Sequence, residues 1–297
     1  MEIIDSELIE LQSGENNFKI KVFDNENYES SCSVIIVNEK KPIKEYTKLH
    51  LLSVGISDYG NSRFNLFYAK EDAKSIIDQI YRKNNNLVDS IEIIELTNSQ
   101  ATKENLIKSF NKIAKNSSQN DIFIFYFAGH GLLVPETETS EELFNLSLFN
   151  SISSDDNSII RKNEIISTKE LSLYIEKINA RKQLIIIDAC NSGKAIEIFD
   201  FKKDLSSFAW KTGVSLLSAT GSKSAWELHS LKHGLFTYII LDGINGGAAF
   251  FDNQITVASL KSYIDYHLPI YSRKHLSKEQ IPFGWVAGTD FTIGKIK

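Results

Sequence analysis

Short apolar segments alternate with longer segments of helical periodicity along most of the chain. The strand-like segments are LHLLSVGIS, SIEIIEL, DIFIFYFAG, KQLIIIDA and GVSLLSA. The helical segments are LFYAKEDAKSIIDQIYR, TKENLIKSFNKIAK, STKELSLYIEKIN, LFTYIILDGI and TVASLKSYIDYHL. Such alternation is typical of a parallel sheet that helices cover on both faces. The sequence therefore predicts a three-layer α/β/α fold with a mostly parallel sheet of about six strands.

The first 40 residues have a different pattern from the rest of the chain. NFKIKVF and SCSVIIV flank the turn-rich segment DNENYES, which predicts a short β segment. Two strands alone are marginally stable, so they either pack on the main domain or belong to a domain that is truncated here. We expect an N-terminal β segment at 1–40, a linker at 41–48 and the main domain at 49–297.

Composition excludes several classes of partner. A net charge of −5 and a pI near 5.8 give no electrostatic footprint for nucleic acid. No apolar run approaches the roughly 18 residues of a membrane span, and the acidic N-terminus does not resemble a signal peptide. Cys32 and Cys190 are the only cysteines, which excludes a disulfide framework and favours a reducing compartment. We expect a cytoplasmic protein without nucleic-acid or membrane partners.

Two strand-like segments lead into reactive side chains. FYFAGHG places His130 between two glycines, and LIIIDACNSG places Cys190 two residues after Asp188. An imidazole can take the proton of a thiol, and backbone N–H groups can stabilise the oxyanion of an acyl transition state. The N–H groups of Gly131 and Cys190 are the candidates for this role. A buried inert cysteine and a histidine in a turn are the alternatives, but the pair together favours a Cys–His dyad.

The same motifs resemble the His and Cys blocks of the caspase-like fold. They are most similar to those of bacterial caspase-family proteins and metacaspases. LLSVGISDYGNSRFNLFYAKEDA, SATGSKSAWEL, HGLFTYIILDGINGGA and QIPFGWVAGTDFTIG resemble further parts of this family in the expected order. The resemblance implies a cysteine peptidase with Cys190 as the nucleophile and His130 as the base or ion-pair partner.

The residues around the nucleophile bear on substrate choice. Animal caspases carry Gln-Ala-Cys-Arg-Gly there, whereas this chain has Asp188 for the Gln and Asn191 for the Arg. The caspase preference for aspartate is therefore not predicted. The resemblance to metacaspases implies that Asp188 and Asp72 form the S1 pocket, which would favour Arg or Lys at P1. The alternatives are a loop-capping role for Asp188 and an ordinary helix N-terminal carboxylate at Asp72.

We therefore expect a cysteine endopeptidase that cleaves protein or peptide substrates after Arg or Lys. Two alternatives stay open: a non-catalytic regulatory or interaction module on a caspase-like scaffold, and a caspase-fold peptidase with a non-basic P1 preference. Residues 17–37 resemble the end of an Ig-like module, which hints at an upstream sensor domain or regulatory protein.

No cofactor is expected. Some metacaspases bind calcium through clustered carboxylates, so Asp155 and Asp156 are considered as calcium ligands, but the spacing of a calcium loop is missing and a solvated loop is favoured.

The long segment 194–213 carries Lys194, Lys202, Lys203 and Lys211 and is a candidate for self-cleavage.

Overall fold

The computed structural model describes residues 14–23, 29–38, 46–135, 142–152, 160–191, 214–220, 227–276 and 280–296. The chain divides into two compact units, Met1–Glu45 and Tyr46–Lys297. In the first unit, β1 (Gly14–Phe23) pairs antiparallel with β2 (Glu29–Asn38) over their whole lengths. An antiparallel strand pair thus lies within the segment predicted to be β, while the bounds of that segment and its relation to an Ig-like module stay predictions.

The second unit contains a large sheet, two small strand pairings and five α-helices among the described residues. The strands of the large sheet are β3 (Tyr46–Gly55), β4 (Val88–Thr97), β5 (Ile122–Pro135), β6 (Glu142–Ser147), β7 (Ile165–Ser167), β8 (Lys182–Asn191), β9 (Ser215–Thr220) and β13 (Ile281–Trp285). The remaining strands are β10 (Glu227–Leu228), β11 (His233–Gly234), β12 (Gln254–Thr256) and β14 (Thr292–Lys295). The helices are α1 (Ala69–Asn84), α2 (Lys103–Asn116), α3 (Thr168–Ile175), α4 (Leu235–Asp242) and α5 (Val257–Leu276).

The sheet has the order β13-β9-β8-β5-β3-β4, and β6 and β7 extend it from β5. The five strands from β9 to β4 are parallel, whereas β13 lies antiparallel at the edge. Residues of β5 alternate between two cores: Ile124 belongs to the core formed with α1, α4 and α5, and Phe125 to the core formed with α2 and α3. The predicted three-layer architecture with a mostly parallel sheet is confirmed.

Side-chain caps begin two of the helices. The Thr102 side chain accepts a hydrogen bond from the N–H of Asn105 at the start of α2, and Ser167 accepts one from Glu170 at the start of α3. The carboxylate of Glu170 binds Lys103 on α2 at 2.6 Å, so this side chain ties two helices of the same layer together.

Two details differ from the sequence-based expectation. The strand predicted to end at Gly129 continues to Pro135, because β6 pairs with Gly131–Pro135 beyond the point where β3 stops. The segment QIPFGWVAGTDFTIG, which resembles the last strand of the family, contains two strands, because Ile281–Trp285 pair with β9 and Thr292–Lys295 pair with β12. Within the described part of the chain, no helix is long and apolar enough to cross a membrane.

Candidate active site

Strand register brings the two reactive motifs together. On the parallel strands β5 and β8, His130 is the register partner of Cys190, and Ala128 is the partner of Asp188. Neighbouring strands lie about 4.8 Å apart, so the backbones of His130 and Cys190 are adjacent. The side chain of Cys190 lies outside the described part of the structure, and its predicted role rests on this backbone position.

The imidazole of His130 is held by the segment that follows β3. Its Nε2 lies 2.7 Å from the carbonyl oxygen of Phe64. A carbonyl oxygen only accepts hydrogen bonds, so Nε2 is the protonated nitrogen of the neutral ring and Nδ1 carries the lone pair. The Tyr59 ring lies 4.8 Å from the imidazole, centroid to centroid, and the Phe64 ring meets it edge-on.

Burial governs the protonation of His130. The residue is only 8% exposed, and this burial lowers the pKa of the imidazole below its ordinary value. The hydrogen bond to the Phe64 carbonyl acts in the opposite direction and is the smaller effect. Since an imidazole ordinarily titrates near pH 6.5, a lowered pKa keeps His130 neutral and basic at neutral pH.

Tyr59 fixes the backbone at the same point. Its hydroxyl oxygen accepts a hydrogen bond of 2.7 Å from the N–H of His130, and the whole side chain is buried. Gly129 makes room for this contact, because a Cβ at that position would lie 2.5 Å from the Tyr59 hydroxyl oxygen. Gly131 is buried in β5 between Leu146 of β6 and Asn191 of β8. The oxyanion role of Gly131 and Cys190 stays a prediction.

The two predicted S1 carboxylates converge on one glycine. Asp72 lies in the first turn of α1, Asp188 lies on β8, and both are almost fully buried. A Cβ on Gly234 would lie 2.9 Å from Oδ2 of Asp188 and 3.1 Å from Oδ2 of Asp72. The structure thus brings Asp72 and Asp188 into one small space, which the side chain of any other residue at position 234 would invade.

Thr237 and Tyr126 support Asp188. Oδ2 of Asp188 accepts hydrogen bonds from the N–H of Thr237 at 3.3 Å and from the Thr237 hydroxyl at 2.5 Å. The hydroxyl of Tyr126 lies 2.6 Å from that of Thr237. This arrangement holds the carboxyl group in a fixed orientation next to Asp72.

Both carboxyl groups have raised pKa values. Burial, followed by the charge of Asp72, raises the pKa of Asp188 to about 7. Burial also raises the pKa of Asp72, against the effect of hydrogen bonds from His233 and the Gly234 N–H. Burial disfavours the ionised form of both carboxyl groups, and a cationic ligand bound between them would favour that form again.

Several supporting residues were not anticipated from the sequence. Tyr59, the Phe64 carbonyl and Thr237 act through contacts between distant segments. The motifs LLSVGISDYGNSRFNLFYAKEDA and HGLFTYIILDGINGGA contain these residues, but their resemblance to the family assigned them no role. Among the described residues, no group of three His, Cys, Asp or Glu side chains could hold a metal ion. Asp155, Asp156 and the segment 194–213 lie outside the described residues.

Comparison with known families identifies the domain. The sequence pattern of the metacaspase, peptidase C14 domain matches residues 51–199, half of the chain, and this range includes Asp72, His130, Asp188 and Cys190. The chain belongs to the metacaspase family. The resemblance seen in the sequence is therefore confirmed, and the family is one of cysteine peptidases.

Two known proteins are similar to this chain. The metacaspase domain is 27% identical to Metacaspase-1 of Plasmodium falciparum (isolate 3D7) over 169 residues, which covers 54% of the chain but 26% of that relative. The chain thus spans about a quarter of the length of this curated relative. A crystal structure of a Geobacter sulfurreducens protein matches with a TM-score of 0.55 and 17% identity, over 82% of the chain and 94% of that protein. This second likeness supports the fold.

Proposed function

We propose that this metacaspase-family chain is a cysteine endopeptidase that cleaves after Arg or Lys with Cys190 as nucleophile and His130 as base. The observation that carries the proposal is the register pairing of His130 with Cys190, together with the Phe64 carbonyl bound to Nε2. This bond leaves Nδ1 as the nitrogen that can accept a proton.

The reaction uses groups of the chain alone. Nδ1 of His130 takes the proton of the Cys190 thiol, and the thiolate attacks the carbonyl carbon of the scissile bond. The N–H groups of Gly131 and Cys190 stabilise the oxyanion of the tetrahedral intermediate. As the C–N bond breaks, His130 protonates the leaving amine and a thioester remains. His130 then deprotonates a water molecule, which hydrolyses the thioester and regenerates the thiol.

Substrate preference follows from the acidic pair. Asp72 and Asp188 are buried, they converge on Gly234, and a P1 guanidinium or ammonium group would neutralise their charge. A hydrogen bond to a charged group contributes about 1.5–3 kcal/mol, which is sufficient to select basic over neutral P1 side chains. An aspartate at P1 would be repelled.

Irreversible labelling tests the nucleophile and the preference together. The protein is treated with peptidyl chloromethyl ketones that carry Arg, Gln or Asp at P1, and the modified residue is mapped by mass spectrometry. Cys32→Ala is the matched control, since it removes the other cysteine. We expect labelling of Cys190 by the Arg reagent in wild type and Cys32→Ala. Labelling of Cys190 by the Asp reagent alone overturns the basic preference, and a complete lack of labelling favours the non-catalytic alternative.

The proposed chemistry needs no cofactor, because the thiol and the imidazole supply both reacting groups. Turnover of an Arg peptide is expected to be the same in excess EGTA and in millimolar calcium. A loss of turnover in EGTA that calcium restores would contradict this and would support Asp155 and Asp156 as calcium ligands.

A further inference from the structure

The geometry points to His233 as the positioning residue that holds Asp72 in its ionised, oriented state, so that the acidic pair recognises a P1 cation. This inference rests on the proposed function, since it concerns the charge of the same pocket. It concerns a histidine that lies more than 150 residues from Asp72 in the chain.

The hairpin that carries His233 is fixed to the start of α1. β10 and β11 pair Glu227 with Gly234 and Leu228 with His233. The Glu227 carboxylate accepts hydrogen bonds from the N–H groups of Phe67 at 2.8 Å and Tyr68 at 2.5 Å. Tyr68 is the N-cap residue of α1 and its side chain makes no capping bond. The hairpin is therefore anchored to the residues that lead into α1, one turn from Asp72.

His233 and Gly234 occupy both oxygens of Asp72. Nδ1 of His233 lies 2.5 Å from Oδ1, and the N–H of Gly234 donates to Oδ2 at 3.0 Å. Asp188 is bound differently, because Thr237 donates twice to its Oδ2 and no described residue donates to its Oδ1. Among the described residues, Oδ1 of Asp188 is therefore the candidate acceptor for a P1 cation, while Asp72 is held in place and contributes its charge.

Titratable groups surround the bonded pair of His233 and Asp72 on two sides. On the pocket side, Asp188, Glu227 and Tyr126 face Asp72. On the other side, His233 lines a groove of about 410 Å³ between α1 and α4, and the titratable groups of that groove are Asp78, Arg82, Tyr238 and Asp242. The His233 side chain is 22% exposed. Its bond to Asp72 is therefore within reach of solvent.

The bond has a direct consequence for pocket charge. A donor to the ionised carboxylate lowers the pKa of Asp72, whereas burial raises it. Without His233 the pKa of Asp72 is higher. The two buried carboxyl groups then hold a proton between them up to a higher pH, and the pair carries less negative charge at neutral pH. The advantage in binding of a P1 cation over a neutral P1 side chain of the same shape is then smaller.

The first test compares kcat/KM for two peptides that differ only in Arg or citrulline at P1, from pH 6 to pH 9. His233→Leu removes the donor. His233→Asn keeps a donor where Nδ1 was and does not titrate. His229→Asn is the matched control, because exposed His229 of the same segment contacts Phe67 and Tyr68 instead of the carboxylates. We expect His233→Leu to lower the Arg-to-citrulline ratio about tenfold at pH 7 and to move its rise to higher pH.

In the same test, His233→Asn and His229→Asn keep the ratio within about threefold of wild type. A ratio in His233→Leu equal to that of wild type overturns the inference. A ratio in His233→Asn as low as that in His233→Leu also overturns it.

A binding measurement separates this inference from the proposed chemistry. Benzamidine, an amidinium that mimics a P1 guanidinium, is titrated by calorimetry into Cys190→Ala protein with and without the His233 substitutions. We expect about tenfold weaker binding with His233→Leu and near-unchanged binding with His233→Asn. If wild type cleaves neither peptide, the proposed function fails while this titration still decides the role of His233. Equal affinities, or no benzamidine binding at all, overturn that role.

Discussion

Nε2 of His130 lies 2.7 Å from the carbonyl oxygen of Phe64. This contact fixes which ring nitrogen carries the proton and which one faces away from the carbonyl. Since the contact involves a backbone oxygen, the identity of the Phe64 side chain does not determine it. The contact depends instead on the position of the Ser62–Phe64 turn. Asn61 stabilises that turn by accepting a hydrogen bond from the N–H of Arg63.

Loss of either dyad residue should abolish peptidase activity. We expect Cys190→Ala and His130→Ala each to lower kcat by about 10³-fold or more, because the two groups act as a unit. The double variant should be scarcely worse than either single one. Steady-state kinetics on an Arg peptide measures this. A single variant that retains a tenth of wild-type turnover would contradict the mechanism.

Tyr59→Phe should weaken both stability and turnover. The substitution removes the acceptor for the buried N–H of His130, and an unsatisfied buried group costs about 1–3 kcal/mol. Urea unfolding measures the stability change, and kcat reports the displacement of His130. Tyr81→Phe is the control, because Tyr81 is 51% exposed. Equal behaviour of the two variants would show that the Tyr59 hydroxyl has no positioning role.

Gly234→Ala should impair recognition of basic P1 residues more than it impairs folding. The backbone at Gly234 has φ −59 and ψ 141, which alanine adopts without strain, but the added Cβ would lie 2.9 Å from Asp188 Oδ2. Because it would also lie 3.1 Å from Asp72, the two carboxylates must move apart. We expect at least a tenfold loss in kcat/KM for an Arg peptide. An unchanged value would place the P1 side chain elsewhere.

The pH dependence of Arg cleavage should report Asp188. Its pKa of about 7 means that the carboxyl group is neutral below that pH and ionised above it. Cleavage after Arg is therefore expected to rise through pH 7. Because the pKa of His130 is lowered, its imidazole has already lost its proton below this pH range, so its titration does not produce the rise.

Asp188→Asn should remove the rise near pH 7 and lower kcat/KM for the Arg peptide by about 10- to 100-fold, the equivalent of about 1.5–3 kcal/mol. Glu71→Gln is the matched control, since Glu71 is an exposed carboxylate next to Asp72 on α1. A rise that persists in Asp188→Asn would assign it to another group.

Self-cleavage within 194–213 is expected if the pocket accepts lysine. This segment lies outside the described residues, and the prediction depends on its four lysines and its length. Wild-type and Cys190→Ala proteins are incubated separately and together, and the fragments are mapped by mass spectrometry. Fragments should form only when wild-type protein is present, with activity rising in step. Full activity from an intact chain would contradict the prediction.

Features that depend on local sequence were predictable, and features that depend on distant contacts were not. The caps at Thr102 and Ser167 follow from residues three positions apart. The adjacency of His130 and Cys190 followed from two motifs at the ends of apolar runs. In contrast, β7 is only three residues long, and its pairing with β6 joins segments with no strong pattern of their own.

The supporting residues show the same limit. Glu227 binds the backbone that leads into α1 from about 160 positions away, and Tyr59 binds the N–H of His130 across 71 positions. Both residues lie in segments that resemble the family, but that resemblance does not identify their hydrogen-bond partners. A tyrosine in SDYGNS and a glutamate in AWELHS are ordinary surface residues by composition alone.

Cleavage of a peptide library with randomised P1, sequenced by mass spectrometry for wild type and Cys190→Ala in parallel, tests the central claim most directly. The account predicts cleavage after Arg and Lys by wild-type protein and none by Cys190→Ala. Cleavage after Asp, or cleavage that survives the loss of Cys190, would contradict it.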